Sequence, residues 1–256
     1  MRLGGKIDLA VELTEILINA IKPKITQFST FKQKDLWFFY YSKLMLEKYY
    51  NNSVLFSASS LNKNQQFLIS ETEKLSKVTQ DKNFIGLNFF FKGGLFYDKG
   101  LYNKALPRVS LALKFIEEPN LKLEVLRQKS LSLANLGLMK RFQKISFPEE
   151  LIANKETSLS DVLSFKTGWA RAVGLFKNPK ALDLLEQTEK FYVNKKINDV
   201  YRLIQIKRSQ MELVRIFYPK DKNLFEKIGK EGLRLTEVYG YKRYKKIIKK
   251  LMNKVL

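Results

Sequence analysis

The side chains with the most chemistry to offer are guanidiniums and amides set at helical spacing. Arg202, Gln205 and Arg208 stand three apart, so one helix face can carry them, and Tyr201 precedes them. Asn88, Lys92, Arg127, Asn135 and Arg171 stand on other stretches expected to form inner helices. Asn135, between Ala134 and Leu136, is the sharpest case, because a polar amide in an apolar stretch wants a partner. Such groups suit an extended polypeptide, which offers unpaired N–H and C=O groups to amide and guanidinium partners. The plainer reading of each is a solvated helix residue.

Other chemistry is closed off by composition. The 256 residues include no Cys and no His, which removes thiol nucleophiles, thiolate or imidazole metal ligands, and any imidazole acid–base step. No clustered Asp/Glu motif stands in for them. The expectation is a non-enzymatic protein with no catalytic residue, no metal and no cofactor. Absence of Cys fits a reducing compartment, so a cytoplasmic location is expected. Asp8, Glu12 and Glu15 interrupt any signal-peptide core. The most apolar run, Phe84 to Tyr97, contains Lys92 and is too short to span a bilayer.

The formal net charge is +22, which attracts acidic partners: an acidic protein, nucleic acid or an anionic surface. Its densest part is the C-terminus, with Lys242, Arg243, Lys245, Lys246, Lys249 and Lys250. Ile247, Ile248, Leu251 and Val255 form an apolar stripe through this segment at helical spacing. One reading is a terminal helix that caps the fold with a wet basic face. The other is phosphate contact, with Tyr241 and Tyr244 placed to stack on bases.

These side chains must be positioned by helices. Apolar residues recur at three and four positions almost throughout, which predicts an all-α chain. A first helix is expected over about Asp8 to Ile21, ended by Pro23, and a second from Lys34 to Tyr50. Loop-like residues at Asn51-Asn52-Ser53 and Ser57 to Ser60 divide an N-terminal helical unit, 1–55, from a repeat domain, 61–256. A helix over Leu61 to Val78 follows, then helix pairs. Turns are expected at Asp98-Lys99-Gly100, Glu118-Pro119-Asn120, Lys140 to Pro148, Lys177-Asn178-Pro179, Asn194 to Ile197 and Tyr218 to Lys222. The segment 143–160 has no clear period and reads as a longer connection.

Asn88 to Pro119 reads NFFFKGGLFYDKGLYNKALPRVSLALKFIEEP. Gly93, Phe96, Gly100, Tyr102, Ala105 and Ala112 fall at the spacings of a tetratricopeptide repeat. Gly93 and Ala105 would let two helices approach, Gly100 would supply the turn, and Ala112 would make room for the next repeat. Pro107 is expected in the first turn of the second helix. Degenerate echoes follow at Gly168-Trp169 to Ala181 and at Leu224 to Leu235. The fold expected is a tetratricopeptide-like helical-hairpin solenoid with a short N-terminal helical unit.

Two stretches carry a further resemblance. Gln33-Lys34-Asp35-Leu36-Trp37-Phe38-Phe39-Tyr40-Tyr41-Ser42, followed by Leu44-Met45-Leu46-Glu47, and Phe89-Phe90-Phe91-Lys92-Gly93 resemble the bacterial peptide-pheromone receptors of the Rap type. That group is related to PlcR-like, Rgg-like and arbitrium-receptor proteins. The resemblance covers about 10–140. It implies a receptor whose repeats bind a short signalling peptide and whose N-terminal unit contacts a response regulator or transcription factor, here through Gln33 and Trp37. The N-terminal unit is shorter than the family's three-helix bundle, and Lys34 intrudes between Gln33 and Asp35, so phosphatase activity is not expected. The alternatives from the residues alone are a basic helical-repeat protein that binds nucleic acid and a protein–protein adaptor. A homodimer is compatible with all three.

Overall fold

The computed structural model describes residues 33–42, 63–197 and 199–253, with Leu13, Ile16 and Leu17 besides. Most of the helix expected over 8–21, the loop at 51–60 and the boundary between 1–55 and 61–256 lie outside the described residues.

Helices account for most of what is described, and no strand occurs among these residues. In chain order they are α1 (33–42), α2 (Lys63–Thr79), α3 (Lys82–Asp98), α4 (Tyr102–Phe115), α5 (Pro119–Asn135), α6 (Met139–Phe142), α7 (Glu149–Ala153), α8 (Leu159–Leu175), α9 (Lys180–Asn194), α10 (Val200–Phe217), α11 (Lys222–Val238) and α12 (Lys242–Met252). Their starts are written locally. Side-chain oxygens of Asp81, Glu118, Ser158, Asp199 and Asp221 accept from the first free amides of α3, α5, α8, α10 and α11. The connection at 143–160 contains the single-turn α7 rather than being wholly irregular.

The α3–α4 hairpin depends on small residues. A Cβ built on Gly93 would stand 2.6 Å from Val109 Cγ2 of α4, so only glycine allows this crossing without movement. Gly86, about two turns earlier in α3, is closed in the same way by Ile116. Ala105 and Ala112 are fully buried. Gly100 adopts φ +74°, the left-handed turn that the sequence requires there. Pro107 is not in the first turn: it is the sixth residue of α4. It lies on the exposed face, where the carbonyl of Asn103 that loses its amide partner can meet water.

Packing alternates. Helices α4, α9 and α11 each touch the helix before and the helix after. Helices α3, α5, α8, α10 and α12 also touch one another in succession, so they form one continuous side of the molecule. At the N-terminal end α1 lies against α3, with Trp37 stacked on Phe84 at 3.9 Å and Lys34 paired with Asp81 at 2.9 Å. Among the described residues no helix is long and apolar enough to cross a membrane.

Candidate binding groove

The continuous side made by α3, α5, α8, α10 and α12 carries a groove of about 880 Å³, open solvent included. Five of the residues singled out by spacing, Arg127, Arg171, Tyr201, Gln205 and Arg208, line it together from three different helices. Phe90, Phe91 and Tyr97 form its α3 wall, and Tyr244 of α12 stands at the far end. Gly168 on α8 faces the stem of Arg127, so that the side chain of α5 lies across the neighbouring helix where any larger residue would collide with it.

The arginines are anchored from behind. Arg208 donates from Nε to Glu212 Oε1 at 3.1 Å, and Arg171 donates from Nε to Oε2 of the same carboxylate. Arg127 donates from Nε to Glu124 at 2.9 Å. Burial pushes the Glu124 carboxyl up, but Arg127 and Arg202 outweigh it and hold it down at about 2. Glu212 behaves alike: burial raises it, and Arg171 and Arg208 bring it below the usual carboxylate value. Burial disfavours charge on Arg171, yet Glu212 reverses this and raises its pKa. Glu124, Glu212 and Arg171 are therefore charged at neutral pH, and the guanidinium forks are held by their carboxylates before any ligand arrives.

No protein-family model, no curated protein and no solved structure matches the chain. The groove must be read from its own atoms.

The remaining candidates sit elsewhere. Arg202 is 3% exposed and spends its guanidinium internally: Nη2 reaches Glu124 at 3.1 Å and Asp161 at 3.0 Å, Nη1 reaches Ser164 and Gln205, and Nε reaches Ser160. It ties α5, α8 and α10 together under the groove floor. Gln205 bridges it to the groove, donating from Nε2 to Tyr244 Oη at 3.3 Å. Asn88 donates to Ser76 Oγ and the Thr72 carbonyl, which fastens α3 to α2. Lys92 pairs with Glu73 on α2. Asn135 finds its partner within its own helix, the Leu131 carbonyl at 2.7 Å, with Tyr97 Oη at 3.4 Å beyond. None of these four lines the groove.

Spacing missed Gln128, which lines the groove and is 6% exposed, with no hydrogen bond to its side-chain amide among the described residues. Set between Arg127 and Lys129, it carries no sequence signal that marks it out. Tyr244 is buried against Tyr201, their hydroxyls 3.2 Å apart, so it is not free to stack on a base. On α12, Lys246, Lys249 and Lys250 are exposed and Lys245 pairs with Glu237 at 3.1 Å, while the side chains of Lys242 and Arg243 lie outside the described set. Ile248 packs the opposite face into the core. Trp37 is 1% exposed and Gln33 half-buried, so the tryptophan serves packing in this arrangement. Among the described residues no three acidic side chains converge as a metal site would need.

Proposed function

We propose that the chain is an intracellular regulatory receptor that binds a short signalling peptide in this groove and, through its N-terminal unit, controls a protein partner such as a response regulator or transcription factor. The observation that carries the reading is the groove itself, where Arg127, Arg171, Tyr201, Gln205 and Arg208 converge from α5, α8 and α10. Anchored guanidiniums and the groove-facing amide of Gln128 are what an extended peptide backbone needs to pair its own N–H and C=O groups. The alternation of helices, with glycine at the α3–α4 crossing, supports a tetratricopeptide-like solenoid as its frame. The resemblance of Gln33–Glu47 and Phe89–Gly93 to Rap-type receptors points the same way, and a ligand on one side of such a stack can bias its curvature and so the partner surface.

The test is thermal unfolding with synthetic peptides encoded by small open reading frames beside the gene. A peptide present at about a hundred times its Kd should stabilise the fold by about 2.7 kcal/mol. A flat melting temperature across all of them would sink the reading.

A second reading, nucleic-acid binding, draws on the exposed Lys246, Lys249 and Lys250 of α12. It requires affinity that falls steeply with salt; binding that ignores salt would remove it.

A further inference from the structure

Arg171 of α8 and Arg208 of α10 stand on the two oxygens of one carboxylate, Glu212, and each meets it with Nε. Two guanidiniums so close repel each other, and the shared carboxylate between them is what holds the pair. Because Glu212 takes the Nε edges, the Nη ends are left over. Arg171 Nη1 reaches only Tyr97 Oη, at 3.5 Å, and the Nη groups of Arg208 donate to nothing among the described residues. Both arginines line the groove, and against three arginines its lining sets one acidic residue, Asp98. A guanidinium fixed by one edge and open at the other is a preorganised donor for a planar anion, since the fork matches carboxylate geometry and little side-chain freedom remains to be lost.

Gln128 is an independent pointer. The residue is 6% exposed, yet its side-chain amide pairs with no protein group among the described residues and is not sealed from solvent. The little surface it keeps belongs to the groove wall. An amide open to the groove beside open guanidiniums describes a donor-rich pocket.

We propose that the Nη ends of Arg171 and Arg208, with the Gln128 amide in the same groove, receive a carboxylate of the bound peptide. The inference rests on the reading of the groove as a peptide site. Two sources share this chemistry, the peptide's C-terminus and an acidic side chain.

The experiment presents the immobilised full chain with a library of short random peptides synthesised twice, once with free C-terminal carboxylates and once as C-terminal amides. Retained sequences are identified by mass spectrometry. The expected result is that peptides retained about tenfold or more from the acid library are lost when amidated, which assigns the C-terminus. Retention from both libraries with Asp or Glu at one fixed position also supports the inference and assigns the carboxylate to a side chain. Retention from both without any acidic residue overturns it while leaving the peptide reading standing. No retention from either overturns both. Arg208→Gln should lower retention of the acid peptides about tenfold or more; it also takes one of two arginine partners from Glu212, so a lower melting temperature is expected and retention is read well below it. Undiminished retention by that variant, correctly folded, would overturn the assignment of Arg208.

Discussion

Arg202 and Glu124, separated by 78 positions in the sequence, meet at 3.1 Å beneath the groove floor. Glu124 also accepts from Arg127 at 2.9 Å, so one carboxylate of α5 links a buried arginine of α10 to an arginine that faces the groove. The cluster holds three helices in register, and through Glu124 it fixes the orientation of Arg127. A charge buried this deeply is tolerated only while all its partners are present.

Arg202→Ala should therefore destabilise the fold by about 2–4 kcal/mol, because the half-buried Glu124 and Asp161 would each lose a partner and a buried cavity would replace the guanidinium. Urea unfolding followed by circular dichroism measures it. If the variant were as stable as the parent, Arg202 would not be the tie between α5, α8 and α10, and its role would lie elsewhere.

The same cluster sets a response to acid. The folded-state pKa of Glu124 is about 2 against 4.5 for the free group, so its ionised form is favoured by folding. Its contribution is fully present above the unfolded value and is lost as pH falls from about 4.5 towards 2. The loss is on the order of 3 kcal/mol for this group. Unfolding free energies measured at intervals from pH 6 to pH 2 should fall through that window. Glu124→Gln should be less stable at neutral pH and show a shallower fall. A variant with the parent's acid limb would place the sensitivity in other carboxylates, Glu212 first, which is depressed by the same kind of pairing.

Gly93 offers a steric test of the α3–α4 crossing. Alanine is the better helix former by about 1 kcal/mol, but its Cβ would stand 2.6 Å from a branched Val109 whose backbone lies close behind. Gly93→Ala is expected to cost about 1–2 kcal/mol net. In a Val109→Ala background the same change should cost less or become stabilising. Equal costs in both backgrounds would mean that Val109 is not what closes the crossing.

Much of the frame was legible because it is local. The turns at Gly100, at Glu118 to Asn120 and at Lys177 to Pro179 follow from residues that cap or break helices whatever surrounds them. The groove was half legible. Three-residue spacing put Arg202, Gln205 and Arg208 on a shared face, yet each such step rotates by about 60° about the axis, so Arg202 and Arg208 point about 120° apart. One enters the core and the other the groove, and no pattern within α10 says which. Asn88 and Lys92 looked alike to Arg127 in the sequence, but their fates were decided by Ser76 and Glu73 on α2, partners that only the packed structure supplies. Gln128 was invisible for the opposite reason, since its distinguishing property is the partner it does not have.

That property makes Gln128→Leu the most discriminating substitution. An amide that pairs with another protein group is costly to remove, because the abandoned partner stays buried and unsatisfied, on the order of 1–3 kcal/mol. Gln128 leaves no such partner behind among the described residues, so leucine, similar in volume and apolar, should leave the melting temperature unchanged or raise it. Binding should respond in the opposite sense. If the amide waits for a ligand, the variant should lose about tenfold in affinity for whichever peptides the parent retains, since one hydrogen bond to a charged or backbone acceptor is missing. Stability by calorimetry and affinity by fluorescence anisotropy separate the two quantities. A destabilised variant would show that the amide has a structural partner, and a stable variant with unaltered affinity would take Gln128 out of the recognition surface while leaving the arginine pair to be judged on its own.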